Sequence, residues 1–453
     1  MSATFRHTLS KITIALALLL PATAFGQSPK ELQAQLQEKS ARFFQGSQPG
    51  GVVLVRKGDT VLLRQAYGMA DVENQVAMKP DKVFRLASVT KQFTAIATLR
   101  LIDAGKLSLD QSVGSIETTL PEAMGKVTIR QLLTHTSGIK NVSSIPESRA
   151  ARRNEATADD LIAFFKDRPL EFAPGARFAY SNSNYIVLTR VIERISGESY
   201  ADHMQRTIFT PLGMSGTRYG SHTAIIPNRA HGYQRKDGQL LNADFISMTQ
   251  PQGAGGLVTT ADDLNKWDLA LYGDKLVSRP LLDQAFGKVT LNDGTQQPYG
   301  FGWMVSQVQG LASVEHSGFI NGFQSFVLRI PEQRLFVTVL TNAEFLTPDD
   351  LAVELAALAA GRPYDKTPVA GPDHAPWQGR YDFGNGVQRD IVVIAGKLHS
   401  QRVGADPIEL MPAADGRYYF GEGHDYVSFA RRPDGKAAMT LHNRLMGDSV
   451  GLK

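Results

Sequence analysis

Four prolines, Pro363, Pro368, Pro372 and Pro376, stand among polar residues between Gly361 and Trp377, and the hydrophobic pattern changes character across them. Proline lacks a backbone N–H and fixes φ, so such a stretch reads as a linker. Before it, strand and helix patterns alternate. After it only short β-type runs remain (388–394, 397–401, 417–420, 426–430 and 438–442), punctuated by Ala414-Asp415-Gly416 and Pro433-Asp434-Gly435. Short strands with turn signals between them predict a small β-sheet or barrel. The expected organisation is a main domain at 27–362, a linker at 363–377 and a small β-domain at 378–453. The β-domain carries no catalytic constellation.

Residues 1–26 have a basic front (Arg6, Lys11), an apolar stretch from Ile12 to Leu20 and a small-residue exit from Pro21 to Gly26. The apolar run is short for a membrane span, so a cleaved signal peptide is expected, with a periplasmic or secreted product. No later stretch reads as a membrane helix. The chain has no cysteine, so export brings no disulfide framework, and stability has to come from core burial. The formal charge of +4 falls to +2 without Arg6 and Lys11, and the basic residues are interspersed with acids. That distribution argues against a nucleic-acid partner.

Within the main domain, residues 27–45 predict a helix, and 51–55 with 61–68 a hairpin closed by Lys57-Gly58-Asp59. A mostly helical region is expected from about 106 to 273. Thr157-Ala158-Asp159-Asp160 and Thr260-Ala261-Asp262-Asp263 mark helix starts inside it. Strands are expected at 313–316, 322–330 and 335–342, then a closing helix at 351–360.

Ser88-Val89-Thr90-Lys91 opens a helical pattern that runs through Phe93, Ile96, Ala97 and Leu101 and stops at Gly105. Residues three apart on a helix are neighbours, so Lys91 can reach the Ser88 hydroxyl, and an amine can serve as the base a serine nucleophile needs. Serine at a helix start is also an ordinary N-cap. A second Ser-x-x-Lys, Ser137 to Lys140, contains Gly138 and reads as a loop without a helix face. Tyr180-Ser181-Asn182 follows Pro174-Gly175 in a polar loop with Ser183 and Asn184. Alone it is a turn; in a site it would supply a phenol for proton relay and an amide for the substrate. His316-Ser317-Gly318 ends an alternating run, where glycine permits close approach of a backbone or ligand. Alone, His316 would be an ordinary edge-strand histidine. The remaining histidines lack metal-ligand spacing, so neither metal nor cofactor is expected.

The order Ser-x-x-Lys, Tyr-x-Asn, then a basic residue with Ser-Gly resembles that of the penicillin-recognising serine hydrolases. These include class C β-lactamases, D,D-carboxypeptidases, D-aminopeptidases and related esterases. Leu132 to Gly138, Pro211 to Met214, Gly253 to Leu257 and Tyr299 to Trp303 look like that family too, so the resemblance covers roughly residues 30–360. It implies an α+β fold, an antiparallel sheet flanked by helices, with an all-helical subdomain and the cleft between them. It implies that Ser88 forms an acyl-enzyme, that Lys91 and Tyr180 share the proton traffic, and that Asn182 holds the acyl-side amide. His316, Ser317 and Gly318 would help bind substrate, and the backbone N–H groups of Ser88 and Phe319 would form the oxyanion hole. Which of Lys91 and Tyr180 is the base stays open. Histidine at 316 departs from the usual lysine and is largely neutral at pH 7, which weakens attraction for a substrate carboxylate. The expected activity is hydrolysis of a small-molecule or peptide substrate, a carboxylic ester or a D-amino-acid amide. A class C β-lactamase and a non-catalytic binding protein are the alternatives.

Overall fold

The computed structural model describes residues 28–453 except 45, 47, 370–372, 385 and 422. The expected signal segment at 1–26, and Pro372 of the linker, lie outside the described residues. Ser28 caps the first helix, α1 (Pro29–Phe43), with Glu31 completing a capping box. The expected hairpin follows as β1 (Gly51–Lys57) and β2 (Thr60–Tyr67). Four later strands, β3 (Met304–Val308), β4 (Leu311–Ile320), β5 (Phe323–Ile330) and β6 (Leu335–Thr341), complete a six-stranded antiparallel sheet of order β3-β4-β5-β6-β1-β2. β4, which carries His316, is thus an interior strand rather than an edge.

β1 and β6 are almost wholly apolar because both sheet faces are covered. Val52 and Leu54 face the larger core, Val53 and Val55 the smaller one. On β6, Phe336 and Leu340 face the larger core, and Leu335, Val337 and Val339 the smaller. Each such burial contributes about 1.5–3 kcal/mol. The larger core holds α2 (Thr90–Asp103), α3 (Asn182–Ser196) and α4 (Ala261–Ala270). All of α2 except Arg100, Ile102 and Asp103 is buried, so its polar side chains must find partners inside the protein. The smaller core is closed by α1 and α5 (Asp349–Ala359), whose Ala352, Ala356 and Ala359 let the helix lie close to the sheet.

Both expected threonine caps are present. Thr157 and Thr260 accept the backbone N–H groups of Asp160 and Asp263, each at 3.2 Å. The region 106–273 is less helical than its sequence suggests. It contains a hairpin, Tyr233–Lys236 with Gln239–Asn242, whose turn Asp237-Gly238 holds both residues at positive φ. It also contains the strand Leu257–Thr259, paired with Phe84–Arg85 on one side and Arg218–Tyr219 on the other.

Beyond 378, eight antiparallel strands between 379 and 452 close into a barrel, sealed where Asp382 meets Leu452. Tyr381, Ile391, Leu398, Leu410, Val427 and Met439 fill it. Arg444 docks the barrel against the sheet, donating to the Gln307 carbonyl at 3.1 Å and to Glu315 at 2.5 Å. Among the described residues no helix is long and apolar enough to cross a membrane.

Candidate active site

The segment entering the site is held as a strand and then turned sharply. Phe84–Arg85 pairs with Leu257–Thr259, and the Leu86 N–H continues that ladder to the Leu257 carbonyl at 2.9 Å. Ala87 then adopts φ +51°, a left-handed conformation that costs a residue with a Cβ about 1–2 kcal/mol. Ser88 follows in a 3-10 turn over Ala87–Val89, and α2 begins at Thr90. The tight turn leaves Ser88 in a cavity wall while Lys91, on the first turn of α2, is wholly buried behind it.

The Lys91 ammonium nitrogen has three neighbours: Ser88 Oγ at 3.2 Å, Asn182 Oδ1 at 2.8 Å and the Ala254 carbonyl at 2.7 Å. The Tyr180 ring lies 4.7 Å away. No carboxylate is among these contacts, and burial holds the Lys91 pKa well below that of an ordinary lysine. Burial pushes the Tyr180 phenol the opposite way, only partly offset by the Ser88 hydroxyl, so Tyr180 stays protonated.

Tyr180, Ser181 and Asn182 lead directly into α3, and Ser183 and Asn184 form its buried first turn rather than a loop. Serine and asparagine favour helix starts as well as turns, because their side chains bond nearby backbone. Here they bond across the fold. Ser183 Oγ donates to the Lys140 carbonyl at 2.7 Å, and Asn184 Oδ1 accepts from Ser137 Oγ at 2.6 Å. Ser137 therefore braces α3, consistent with its reading as a loop serine. The Asn182 amide donates to Ser143 Oγ at 2.9 Å, which fixes its oxygen toward Lys91.

His135 lies under Tyr180, ring centroids 4.3 Å apart. Its Nδ1 accepts from the Ser181 N–H at 3.2 Å and the Asn184 amide at 3.1 Å, so its proton sits on Nε2. His316 takes the other tautomer. Its Nδ1 lies 2.6 Å from the Ser317 carbonyl, which can only accept, leaving Nε2 to accept from Tyr299 Oη at 3.0 Å. Burial first, then the neighbouring Lys91, pushes the His316 pKa down to about 3, and His135 is pushed down by the same causes. Both imidazoles are neutral. Gly318 packs β4 against the nucleophile turn: a Cβ there would stand 2.5 Å from the Leu86 carbonyl oxygen and 3.1 Å from Ala87 Cβ.

Beside Ser88 opens a cavity of about 490 Å³. Of the residues singled out in the sequence, Ser88, Asn182 and Phe319 line it; Lys91 and His316 are buried behind it; Tyr180 is half-buried with its hydroxyl shielded from solvent, and Ser317 lies half-buried outside the wall. No described residue of the barrel lines it. Sequence reasoning did not single out Ser143, Ala254, His135 or Tyr299 individually, although the last three lie in the supporting stretches named above. Among the described residues one trio has metal-ligand proximity, Asp71, Glu73 and His231. Its carboxylates are bonded to Asn74, Tyr233 and Asn242, and it lies outside the cavity wall.

Comparison with known proteins identifies the family and the fold. The Beta-lactamase family model matches residues 30–362. Penicillin-binding protein 4* of Bacillus subtilis is 28% identical over 420 residues, covering 86% of this chain and 92% of that one. The D-aminopeptidase of Gluconobacter oxydans is 28% identical over 339 residues; the match takes in 74% of this chain and spans 62% of that relative's length. Among solved structures, the octameric penicillin-binding protein homologue from Pyrococcus abyssi superposes with a TM-score of 0.63 at 24% identity, over 94% of this chain and 99% of its own. The D-amino acid amidase from Ochrobactrum anthropi does so at 0.62 and 23%, over 73% and 97%. With the family matched over most of its length, this chain belongs to the β-lactamase family, within the penicillin-recognising serine hydrolases.

Proposed function

We propose that the protein is an exported hydrolase that forms an acyl-enzyme at Ser88 and cleaves a D-amino-acid amide or peptide bond or a carboxylic ester. The observation that carries this reading is the surroundings of Lys91. An uncharged amine has two N–H bonds and one lone pair. Asn182 Oδ1 and the Ala254 carbonyl can only accept, so they take the two N–H bonds, and the lone pair is left for the Ser88 hydroxyl. Lys91 is then the base and the protonated Tyr180 a proton donor.

Ser88 Oγ attacks the substrate carbonyl carbon as its proton passes to Lys91. The carbonyl electron pair moves onto oxygen, facing the backbone N–H groups of Ser88 and Phe319. Collapse of this adduct expels the amine or alcohol, which takes a proton from the Lys91–Tyr180 pair. Water attacks the acyl group by the same route and frees Ser88. His316 and Tyr299, behind the wall, position Tyr180 rather than touch substrate.

The test is intact mass of wild type and Ser88→Ala after benzylpenicillin, with drug consumption and phenyl ester hydrolysis followed alongside. A lasting adduct, or ester turnover, that Ser88→Ala abolishes supports the reading. Rapid drug consumption would make the protein a β-lactamase instead. Ester turnover unchanged in Ser88→Ala refutes it. Export rests on the basic, apolar and small-residue order of 1–26, and N-terminal sequencing of the product from an exporting host tests it.

A further inference from the structure

Among the described residues the cavity wall carries two charged side chains, Arg149 and Arg152, and no carboxylate. The two arginines are not equivalent. Arg152 is already answered by Asp244 at 3.4 Å. Arg149 has no carboxylate in ion-pair range among the described residues. Its Nε donates to the Ser143 carbonyl at 2.6 Å, which anchors the guanidinium and leaves its two terminal nitrogens free. Ser143 in turn receives the Asn182 amide through its hydroxyl at 2.9 Å. The Arg149 guanidinium is therefore tied, one residue removed, to the side chain that would hold the acyl-side amide of the substrate.

We propose that Arg149 is a specificity-determining residue that selects acyl groups bearing a negative charge, such as a carboxylate set a few bonds beyond the scissile carbonyl. This rests on the hydrolase reading above and names its substrate class. A guanidinium anchored through Nε keeps a planar pair of donors, the geometry that matches a carboxylate. A substrate with a free α-ammonium meets two arginines and no acid in the same wall. The centre of the site offers no competing attraction, because the residue at 316 is an uncharged imidazole. Selection for the anion thus falls to this side of the cavity.

The test compares phenyl esters of N-succinyl-D-alanine, N-acetyl-D-alanine and D-alanine. They place an anion, no charge and a cation on one acyl scaffold, and an ester is opened by an amidase or an esterase alike. Initial phenol release is measured for wild type, Arg149→Gln, Arg149→Lys and Ser88→Ala. Wild type is expected to favour the succinyl ester over the acetyl ester roughly tenfold in kcat/KM, the worth of one charge-assisted contact. That ratio should fall to about one in Arg149→Gln, be partly restored in Arg149→Lys, and shrink in high salt. Equal rates on the succinyl and acetyl esters in wild type, a preference for the ammonium ester, or a succinyl preference that survives Arg149→Gln overturns the proposal. Phenol release no faster than with Ser88→Ala would instead remove the hydrolase reading, and the proposal with it.

Discussion

Replacing Gly318 by alanine should damage both catalysis and stability, and the structure gives the size of each effect. The new methyl group would stand 2.5 Å from the Leu86 carbonyl oxygen and 3.1 Å from Ala87 Cβ, and would also meet Ser325 Oγ. Carbon–oxygen contacts settle near ~3.3 Å, so β4 and the 86–88 turn must part by about 0.8 Å. Ser325 can rotate away, although its hydroxyl would give up its 2.8 Å bond to the same Leu86 carbonyl. Leu86 cannot, because its N–H is bonded to Leu257. Overpacking of this kind costs ~1–3 kcal/mol in stability. The same displacement separates Ser88 from the Phe319 N–H one residue beyond Gly318, and a ~1 Å misplacement of reacting groups costs about a hundredfold in rate. Initial rates on phenyl acetate, corrected with Ser88→Ala, and urea unfolding of the same preparations measure the two effects. A folded Gly318→Ala within threefold of the wild-type rate would refute the argument that β4 and the nucleophile turn are held in register by the missing methyl.

Lys91→Arg keeps a cation and its donors but cannot yield a lone pair, so it should lose at least about 10²–10⁴-fold in acylation, the worth of a general base; retention of activity in stopped-flow acylation would show that Lys91 serves only as a positive charge. The His316 pKa is held at about 3 in the folded protein against ~6.5 unfolded, so the unfolded chain binds the extra proton first and stability drains away as pH falls from about 6.5 toward 3. His316→Gln should flatten that limb by on the order of 3 kcal/mol, read from urea midpoints between pH 7 and pH 4, and an unchanged slope would place the acid sensitivity elsewhere. Asp268 is fully buried between Arg56 and Arg329, the latter at 2.8 Å. Asp268→Asn strands two guanidinium groups in the core and should cost about 3–5 kcal/mol in unfolding free energy; a loss under 1 kcal/mol would mean that water reaches them.

The fold was legible where its signals are local. Threonine followed three residues later by aspartate marked the helix starts at 158 and 261, and two-faced burial made β1 and β6 continuous apolar runs. The hairpin at 233–242 was missed although Asp237-Gly238 is a strong turn signal, because its strands carry Gln, Arg, Lys and Asn on solvent-facing positions and show little alternation. The polar run 181–184 was misread as a loop for the converse reason. Ser183 and Asn184 are buried and satisfied by Lys140, Val142, Ser137 and His135, partners that no local pattern reveals. The site divides in the same way. Ser88 and Lys91 share one helix turn and could be paired from spacing alone. The two carbonyl acceptors that orient Lys91 come from 91 and 163 positions away in the chain.

Substrate charge was hardest to read because the groups that decide it lie outside every motif. At the centre of the site, Lys91, His135 and His316 are all buried, and a charge on Lys91 lowers the pKa of both histidines. Such a cluster resists holding more than one proton, and the carbonyl acceptors around Lys91 offer no negative charge to relieve it. A lysine at position 316 would place a second cation within the same buried cluster, whereas the Nδ1-protonated imidazole adds a hydrogen-bond acceptor for Tyr299 and no charge. In the proposed mechanism the chemistry then runs on one mobile proton shared among Ser88, Lys91 and Tyr180. Attraction for a charged substrate has to come from groups that keep their charge in solvent. Along the cavity those are the arginines of the 146–152 segment, on a short helix whose sequence carries no catalytic signature.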